Sequence, residues 1–268
     1  MNATTTPVLV DLGVGALMPI GRSLRAYANE AKYETLRMLR SPGFTLPFLA
    51  LPVPIYLFFG VVVPAAVIAK NPGVANYLFF GFSVFTVMGP ALFGVGCGLA
   101  VERDAGLLTL KRALPVPSGG YLTAKILIGI VFAALAMILM LACALLAGKI
   151  TLSVPQLLIM STVMVLGTVP FAAIGLFIGT FASGSSAPAY ANIIFLPMLW
   201  LSGLFIPLPK FLEPWAVIWP AFHLNQVALG AAGVSEYSFV APQISGAVLV
   251  GFTVLFGGVA IRRLARRG

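Results

Sequence analysis

The sequence predicts an all-α integral membrane protein with six transmembrane helices and with both termini in the cytoplasm. Three observations support this class. Hydrophobic residues make up 60% of the chain and charged residues only 9%, against about 25% charged residues in an ordinary soluble domain. Mean hydropathy is +1.05, and long runs contain no acid, lysine or arginine. The basic residues are also distributed unevenly among the segments between these runs.

The charge-free runs define the six spans. About 20 apolar residues cross a hydrocarbon layer about 30 Å thick, and residues 41–69, 71–101 and 126–148 each suffice for one crossing. The run at 150–209 is too long for one helix, and we expect it to fold back at the turn-forming sequence SGSSAP. A last run precedes the C-terminal arginines. The approximate predicted spans are 45–68, 76–100, 122–147, 156–182, 187–206 and 242–261.

The remaining segments complete the predicted organisation. An N-terminal tail at 1–20 is followed by an amphipathic helix at 21–42, where basic residues alternate with an apolar face. This helix is expected to lie on the inner membrane surface, and an ordinary juxtamembrane anchor is the alternative. The membrane domain covers 43–262, and a basic cytoplasmic tail covers 263–268.

The basic residues predict the orientation. With both termini inside, 13 Lys and Arg residues lie on the cytoplasmic side and only Lys70, Lys149 and Lys210 lie outside, which is a strong positive-inside bias. The net charge of +9 is therefore mostly a topology signal. No basic run is interleaved with aromatic residues, so we expect anionic lipid headgroups and not nucleic acid as the partner of these charges.

The loop at residues 101–125 contains six of the 23 charged residues. Leu107, Leu110 and Leu114 share one stripe of a short helix, which Pro115 and Pro117 end. A short, charged, proline-terminated helix on the cytoplasmic face is a suitable attachment point for a soluble partner.

The segment at residues 206–221 is apolar but contains four prolines, which exclude one straight helix. Short helical pieces that dip into the outer interface would place Trp215 and Trp219 at headgroup depth. A plain outer loop with an aromatic belt is the alternative.

The chemistry of the spans argues against two classes of protein. Gradient-driven carriers usually place acids or histidines inside the bilayer, and a membrane-embedded lipid-modifying transferase needs paired acids or a histidine cluster; the predicted spans contain neither. No catalytic or metal-ligating residues are predicted, and Cys97 and Cys143 are expected to be buried thiols. Asn192 is the strongest polar side chain in a span, either for a helix–helix hydrogen bond or for substrate contact. A purely structural scaffold is a further alternative.

Glycines recur at spacings of four residues in two predicted spans. Gly94 and Gly98 flank Gly96, and Gly175 precedes Gly179. This spacing predicts a close approach between helix backbones.

The loop and the outer segment resemble the ABC-2 type permeases, the membrane subunits of many bacterial ABC exporters. In these proteins the loop after the second helix reads like E-R-x-x-G-T-L-E, then P-V, with a Tyr and a Lys at the start of the third helix. Leu107 and Thr109 stand where the family usually has Thr and Glu. The resemblance covers residues 21–263 and includes LSGLFIPL and WPAFH in the outer segment. The matching loop residues are Glu102, Arg103, Gly106, Leu108, Pro115, Val116, Tyr121 and Lys125.

The resemblance implies a permease subunit that forms the translocation path of an ABC exporter in the bacterial inner membrane. Two copies of a separate ATP-binding subunit would supply the energy and bind ATP and Mg²⁺, and a second copy or paralogue of the permease would complete a dimer. The loop would be a coupling helix, and the outer segment a re-entrant element. These 268 residues contain no G-x-x-x-x-G-K-[ST] sequence, so ATPase activity is not expected here.

The sequence does not identify the cargo, and it does not distinguish a lateral transport route from alternating access. Two sets of candidate site residues follow from the resemblance. The set predicted to couple to the ATPase subunit is Glu102, Arg103, Asp104, Gly106, Leu107, Leu108, Leu110, Lys111 and Pro115. The set predicted for the outer re-entrant element is Pro207, Trp215, Trp219, Pro220 and His223.

Overall fold

The computed structural model describes residues 20–112, 120–206, 208–234 and 238–267. Within those ranges the chain is helical and forms no strand, as predicted. In chain order the helices are α1 (Ile20–Leu39), α2 (Pro42–Val62), α3 (Ala65–Lys70), α4 (Gly73–Asp104), α5 (Leu107–Arg112), α6 (Gly120–Ala147), α7 (Val154–Gly179), α8 (Ala187–Leu201), α9 (Glu213–Ala216), α10 (Pro220–Ala231) and α11 (Pro242–Arg267).

Among the described residues, five helices are long and apolar enough to cross a membrane: α2, α4, α6, α7 and α11. The predicted fifth span, 187–206, contains the shorter α8, which is 15 residues long and therefore about 22 Å in length. The chain turns after it, and Gly203 has φ +63°, a left-handed conformation that glycine adopts readily. The count of six spans and the orientation of the termini stay predictions.

The first span, α2, is irregular because of its prolines. Its π-helical stretches are Leu46–Ala50 and Tyr56–Val62, and Pro47, Pro52 and Pro54 lie in or between them. A proline has no backbone N–H to donate, so the helical ladder is locally rearranged. Much of the apolar surface of α2 is exposed, as expected for a helix that faces lipid.

The core is built around α4, most of which is buried. Large side chains such as Phe79, Phe80 and Leu92 are fully covered there. The glycine pair of α7 packs against Gly96 of α4: a Cβ on Gly96 would lie 2.7 Å from the carbonyl oxygen of Gly175, and one on Gly179 would lie equally close to the Gly96 oxygen. Gly94, by contrast, faces the side chains of Met38 and Phe44. The predicted close approach of helix backbones is thus confirmed for Gly96, Gly175 and Gly179, and it fixes α4 against α7.

The helix boundaries at both ends of the chain differ from the predicted segments. The interfacial helix α1 ends at Leu39, where the Thr45 hydroxyl donates to its carbonyl oxygen at 3.0 Å, and a new helix starts at Pro42. The predicted tail at 263–268 is helical as far as Arg267. Arginine is a good helix former and is favourable near a helix C-terminus. Residues 1–19 of the predicted N-terminal tail lie outside the described residues.

Two short helices occupy the predicted outer element. The four-residue α9 is followed by α10, and α10 is buried against α7 and α11. The proline-rich sequence thus forms helical pieces, as predicted. Re-entry of these helices into the membrane stays a prediction.

Candidate functional site

Five side chains from three helices meet at the C-terminal end of α4. We call them the ion-pair cluster: Glu34 and Arg37 of α1, Glu102 of α4, and Tyr121 and Lys125 of α6. The residues are far apart in the sequence, but the packing of α1 on α6 and the length of α4 bring them together. Three of its members, Glu102, Tyr121 and Lys125, come from the two ends of the charged loop at residues 101–125.

Lys125 is the centre of the cluster. Its ammonium Nζ donates to Glu34 Oε1 at 2.8 Å and to Glu102 Oε1 at 2.6 Å. Lys125 is only 3% exposed and Glu102 only 1%. Charged groups are rarely this deeply buried unless they are paired, so the two carboxylates satisfy the buried ammonium.

Arg37 and Tyr121 complete the bonding of the carboxylates. The Arg37 guanidinium donates to Glu34 and, at 2.8 Å, to Glu102 Oε1. The Tyr121 hydroxyl donates to the other oxygen, Glu102 Oε2, at 2.7 Å. The Arg37 side chain is 53% exposed and therefore closes the cluster on the solvent side.

The formal charges of the cluster balance, with two acids against one lysine and one arginine. Loss of one member would leave a buried charge without its partner, which typically costs several kcal/mol. The cluster therefore holds α1, α4 and α6 in a fixed arrangement at the base of the loop.

The next two residues, Arg103 and Asp104, bind the turn between α7 and α8. Arg103 donates to the carbonyl oxygens of Gly179 at 2.9 Å and Ala182 at 2.8 Å, which are groups left unpaired at a helix end. The backbone N–H of Gly184 donates to Asp104 Oδ2 at 2.7 Å. We call this set the turn contact. It connects the C-terminal end of α4 to the turn between α7 and α8.

The loop itself begins at Gly106, whose φ is +71°. This left-handed conformation ends α4 and favours glycine, which gives the glycine of the loop motif a structural reason. In the following helix α5, Leu108 packs on the core. Leu107 is 37% and Leu110 65% exposed, so α5 presents an apolar edge.

The arrangement consists of ion pairs and hydrogen bonds that join several helices. In the part of the chain that the structure describes, no group of three His, Cys, Asp or Glu residues is placed to hold a metal ion. The charged side chains of the cluster bond one another. What the site offers is a fixed connection between one short exposed helix and several long ones.

Comparison with known proteins agrees with the resemblance in the loop. The model of the ABC-2 type transporter family matches residues 30–239. The chain belongs to this family. It is also similar to "Putative transport permease YvfS" of Bacillus subtilis (strain 168), with 26% identity over 198 residues, which cover 73% of this chain and 80% of that protein. The chain is therefore a transport permease of the ABC-2 type, a multi-pass protein of the inner membrane.

The permease divides its predicted coupling residues into two groups by position. Glu102 and Arg103 face inward, in the ion-pair cluster and the turn contact, whereas Leu107 and Leu110 face outward. Lys111 lies in α5, but its side chain and all of Pro115 are outside the described residues. The coupling role of the whole set stays a prediction.

The other predicted residues are dispersed over the permease. Asn192 is exposed on α8 and forms no hydrogen bond with the rest of the described chain, so the expected helix–helix bond is not made within one copy. Trp215 is 59% exposed, whereas Trp219 packs partly against the core. Pro220 starts α10. Pro207 is outside the described residues.

His223 of α10 is fully buried and bonded at both ring nitrogens. Nε2 lies 2.8 Å from the Val217 carbonyl oxygen, and Nδ1 lies 3.1 Å from the Ser245 hydroxyl. A carbonyl only accepts, so Nε2 carries the proton and Nδ1 accepts from Ser245. Burial lowers the pKa of this imidazole, although the bond to Val217 acts in the opposite direction. His223 therefore joins α10 to α11 as a neutral side chain.

Sequence reasoning missed the cluster. It treated Tyr121 and Lys125 as loop residues that match the family, and it did not single out Glu34. One signal was available: Ala31, Glu34 and Met38 follow the spacing of one helical face, and all three are at least half-buried. An acid on the apolar face of an amphipathic helix indicates a buried cationic partner.

Proposed function

We propose that the chain is the membrane subunit of an ABC exporter, which forms the translocation path and is driven by ATP hydrolysis on a separate ATP-binding subunit. The observation that carries the proposal is the exposed apolar edge of α5 next to the ion-pair cluster. Leu107 and Leu110 are exposed on a helix that belongs to the cytoplasmic side in the predicted topology. Apolar side chains grouped on an aqueous surface are typical of a protein interface.

The contacts around α5 give this interface a way to act on the membrane domain. Gly106 joins α5 to α4. The ion-pair cluster joins α4 to α1 and α6, and the turn contact joins α4 to the end of α7. A displacement of α5 would therefore reach four helices together, as a rigid-body switch. In this proposal ATP and Mg²⁺ are bound by two copies of the partner, and this chain supplies only docking surface and path.

A second copy of the permease, or a paralogue, is the other proposed partner. Asn192 is exposed on the same helix as Ile193, Leu196 and Trp200, which are also exposed. An amide that faces lipid has no hydrogen-bonding partner, and membrane helices commonly satisfy such a group across a helix pair. Asn192→Leu is expected to lower the dimer fraction in detergent, measured by light scattering, whereas an unchanged fraction would exclude Asn192 from the interface.

The docking interface is tested with glutamates at the two exposed leucines. The permease is co-expressed with the ATP-binding subunit encoded beside it and purified through a tag on that subunit. The double variant Leu107→Glu with Leu110→Glu should lose association, because two buried carboxylates would oppose an apolar contact. Thr109→Glu is the control: it adds one carboxylate of the same kind to the same exposed helix, at the position where the family usually has Glu, and should leave association intact.

The outcome separates the exporter from the other classes. Equal recovery of the double variant and the control would remove α5 from the docking interface. Transport that follows a proton or sodium gradient without an ATPase subunit would indicate a secondary carrier, and product formation from lipid by the isolated chain would indicate a transferase. ATP-dependent transport by the reconstituted complex is the result that the proposal requires.

A further inference from the structure

A cavity of about 310 Å³ lies at the end of the bundle opposite the ion-pair cluster. Tyr77 lines it near the start of α4, and Glu102 follows 25 residues later on the same long helix, which corresponds to about 38 Å. The other walls come from the α8–α9 connection, α9, α10 and the segment before α11. Such a volume is at the lower end of the range for small-molecule sites, about 300–1,000 Å³.

The wall of the cavity contains one buried polar atom that the described chain does not satisfy. Asn225 of α10 is 2% exposed and lines the cavity, and its carbonyl oxygen Oδ1 has no hydrogen-bond partner there. The neighbouring Gln226 has a structural role, because its Oε1 accepts from the backbone N–H of Phe239 at 2.8 Å and of Val240 at 3.3 Å. A buried acceptor without a partner is destabilising. A ligand with a hydrogen-bond donor would satisfy the Asn225 Oδ1 atom.

Charges at the cavity narrow the chemistry of that donor. Lys210 and Glu213 both line it and both are exposed, so one cation and one anion stand at its opening to solvent. Leu208, Phe222 and other apolar side chains form most of the remaining lining. A ligand that matches these features carries one positive and one negative charge, an N–H donor and an apolar portion.

We propose that this cavity binds the headgroup of a zwitterionic phospholipid that carries a primary ammonium, as in phosphatidylethanolamine. The ammonium donates to Asn225 Oδ1 and pairs with Glu213, and Lys210 donates to the phosphate. A trimethylammonium group has no N–H and cannot satisfy Asn225, and an anionic headgroup without an ammonium leaves Glu213 unpaired. This site goes beyond the proposed export function and requires no ATP-binding subunit.

The test compares three short-chain lipids with one protein. Dihexanoyl phosphatidylethanolamine, phosphatidylcholine and phosphatidylglycerol are each titrated below their micellar concentrations into the full-length permease in a neutral detergent. Trp215 is next to two cavity residues, Pro214 and Ala216, so tryptophan fluorescence reports binding, and calorimetry gives the affinity. The ethanolamine lipid should bind saturably and about tenfold more tightly than either of the others, as expected for one good hydrogen bond.

Variants identify the atoms responsible. Asn225→Leu should remove the preference for ethanolamine over choline, whereas Asn225→Asp keeps an acceptor and should retain it. Lys32→Met alters an exposed side chain of α1, which does not line the cavity, and should leave the preference unchanged. If Asn225→Leu does not fold, the exposed Glu213→Gln provides the same test, with an expected loss of several-fold for ethanolamine and none for phosphatidylglycerol.

Several results would overturn the proposal. Equal affinity for the three lipids would show that Asn225 selects no ammonium, and tighter binding of phosphatidylglycerol would assign an anion site. Absence of saturable binding would mean that the cavity holds only water. None of these results bears on ATPase association, so failure of this site and failure of the export proposal are distinguishable.

Discussion

Replacement of Lys125 by methionine is expected to destabilise the membrane domain by about 3 kcal/mol. Methionine has a similar apolar stem and lacks only the ammonium, which bonds Glu34 and Glu102 at 2.8 and 2.6 Å. Removal of one partner from a buried ion pair costs about 3–5 kcal/mol. The lower end applies because Arg37 still donates to both carboxylates.

The free energy of unfolding is measured by tryptophan fluorescence while a denaturing detergent is titrated into the solubilised protein. A loss of about 3 kcal/mol lowers the folding equilibrium constant roughly 150-fold. Lys32→Met is the matched control, because Lys32 is an exposed lysine of α1. Substitutions of this kind at exposed positions usually change stability by less than about 0.5 kcal/mol.

Equal stability of Lys125→Met and Lys32→Met would refute the argument that the buried ion pairs hold the helices together. A second variant sharpens the test. Adding Glu102→Gln to Lys125→Met removes one of the two carboxylates that lost their ammonium, so part of the stability should return. A further loss equal to that of Glu102→Gln alone would show that the two residues act independently.

Three further predictions concern the glycines and the histidine. Gly106→Ala should cost about 1 kcal/mol in the same unfolding assay, because φ is +71° although nothing lies within 4 Å of an added Cβ; Gly246→Ala, equally open but inside α11, should be neutral or stabilising. Gly96→Val should destabilise by more than Gly106→Ala, because its side chain would overlap the backbone of α7; an equal loss would contradict the close contact. The pKa of His223 is lower in the folded protein than in the unfolded chain, so the unfolded chain binds a proton at higher pH than the folded protein does. Wild-type stability should therefore fall as the pH drops below about 6.5, and His223→Gln should remove that part of the pH dependence. A stability that does not change over this pH range would contradict the burial of a neutral imidazole.

The sequence predicted features that depend on short-range spacing, and these agree with the structure. The four-residue glycine spacing in α7 indicated a close helix contact, and Gly175 and Gly179 both lie against Gly96 of α4. The turn-forming residues at 183–188 were expected to break the long apolar run, and α7 and α8 are separated there. In each case the determining interactions are local to a few turns of helix.

The ion-pair cluster could not be predicted in this way because its partners are remote. Lys125 is 91 residues from Glu34 and 23 from Glu102, and only the packing of α1 against α6 brings the first pair together. Positive-inside bias explains a lysine at a predicted inner helix end equally well, so the position of Lys125 alone did not indicate its burial, and only Glu34 on the apolar face of α1 pointed to a buried cation. The predicted fifth span, 187–206, extends beyond the end of α8 for a related reason. The apolar composition of residues 202–206 continues that of the helix, whereas the left-handed Gly203 ends it.

The charge balance of the ion-pair cluster has an electrical consequence. A unit charge that moves through the full membrane potential exchanges about 2.3 kcal/mol per 100 mV with the field. Glu34 and Glu102 formally cancel Lys125 and Arg37, and Asp104 cancels Arg103 in the turn contact. If these groups move together as one unit, they carry no net gating charge, so the work that moves them is independent of the voltage across the membrane.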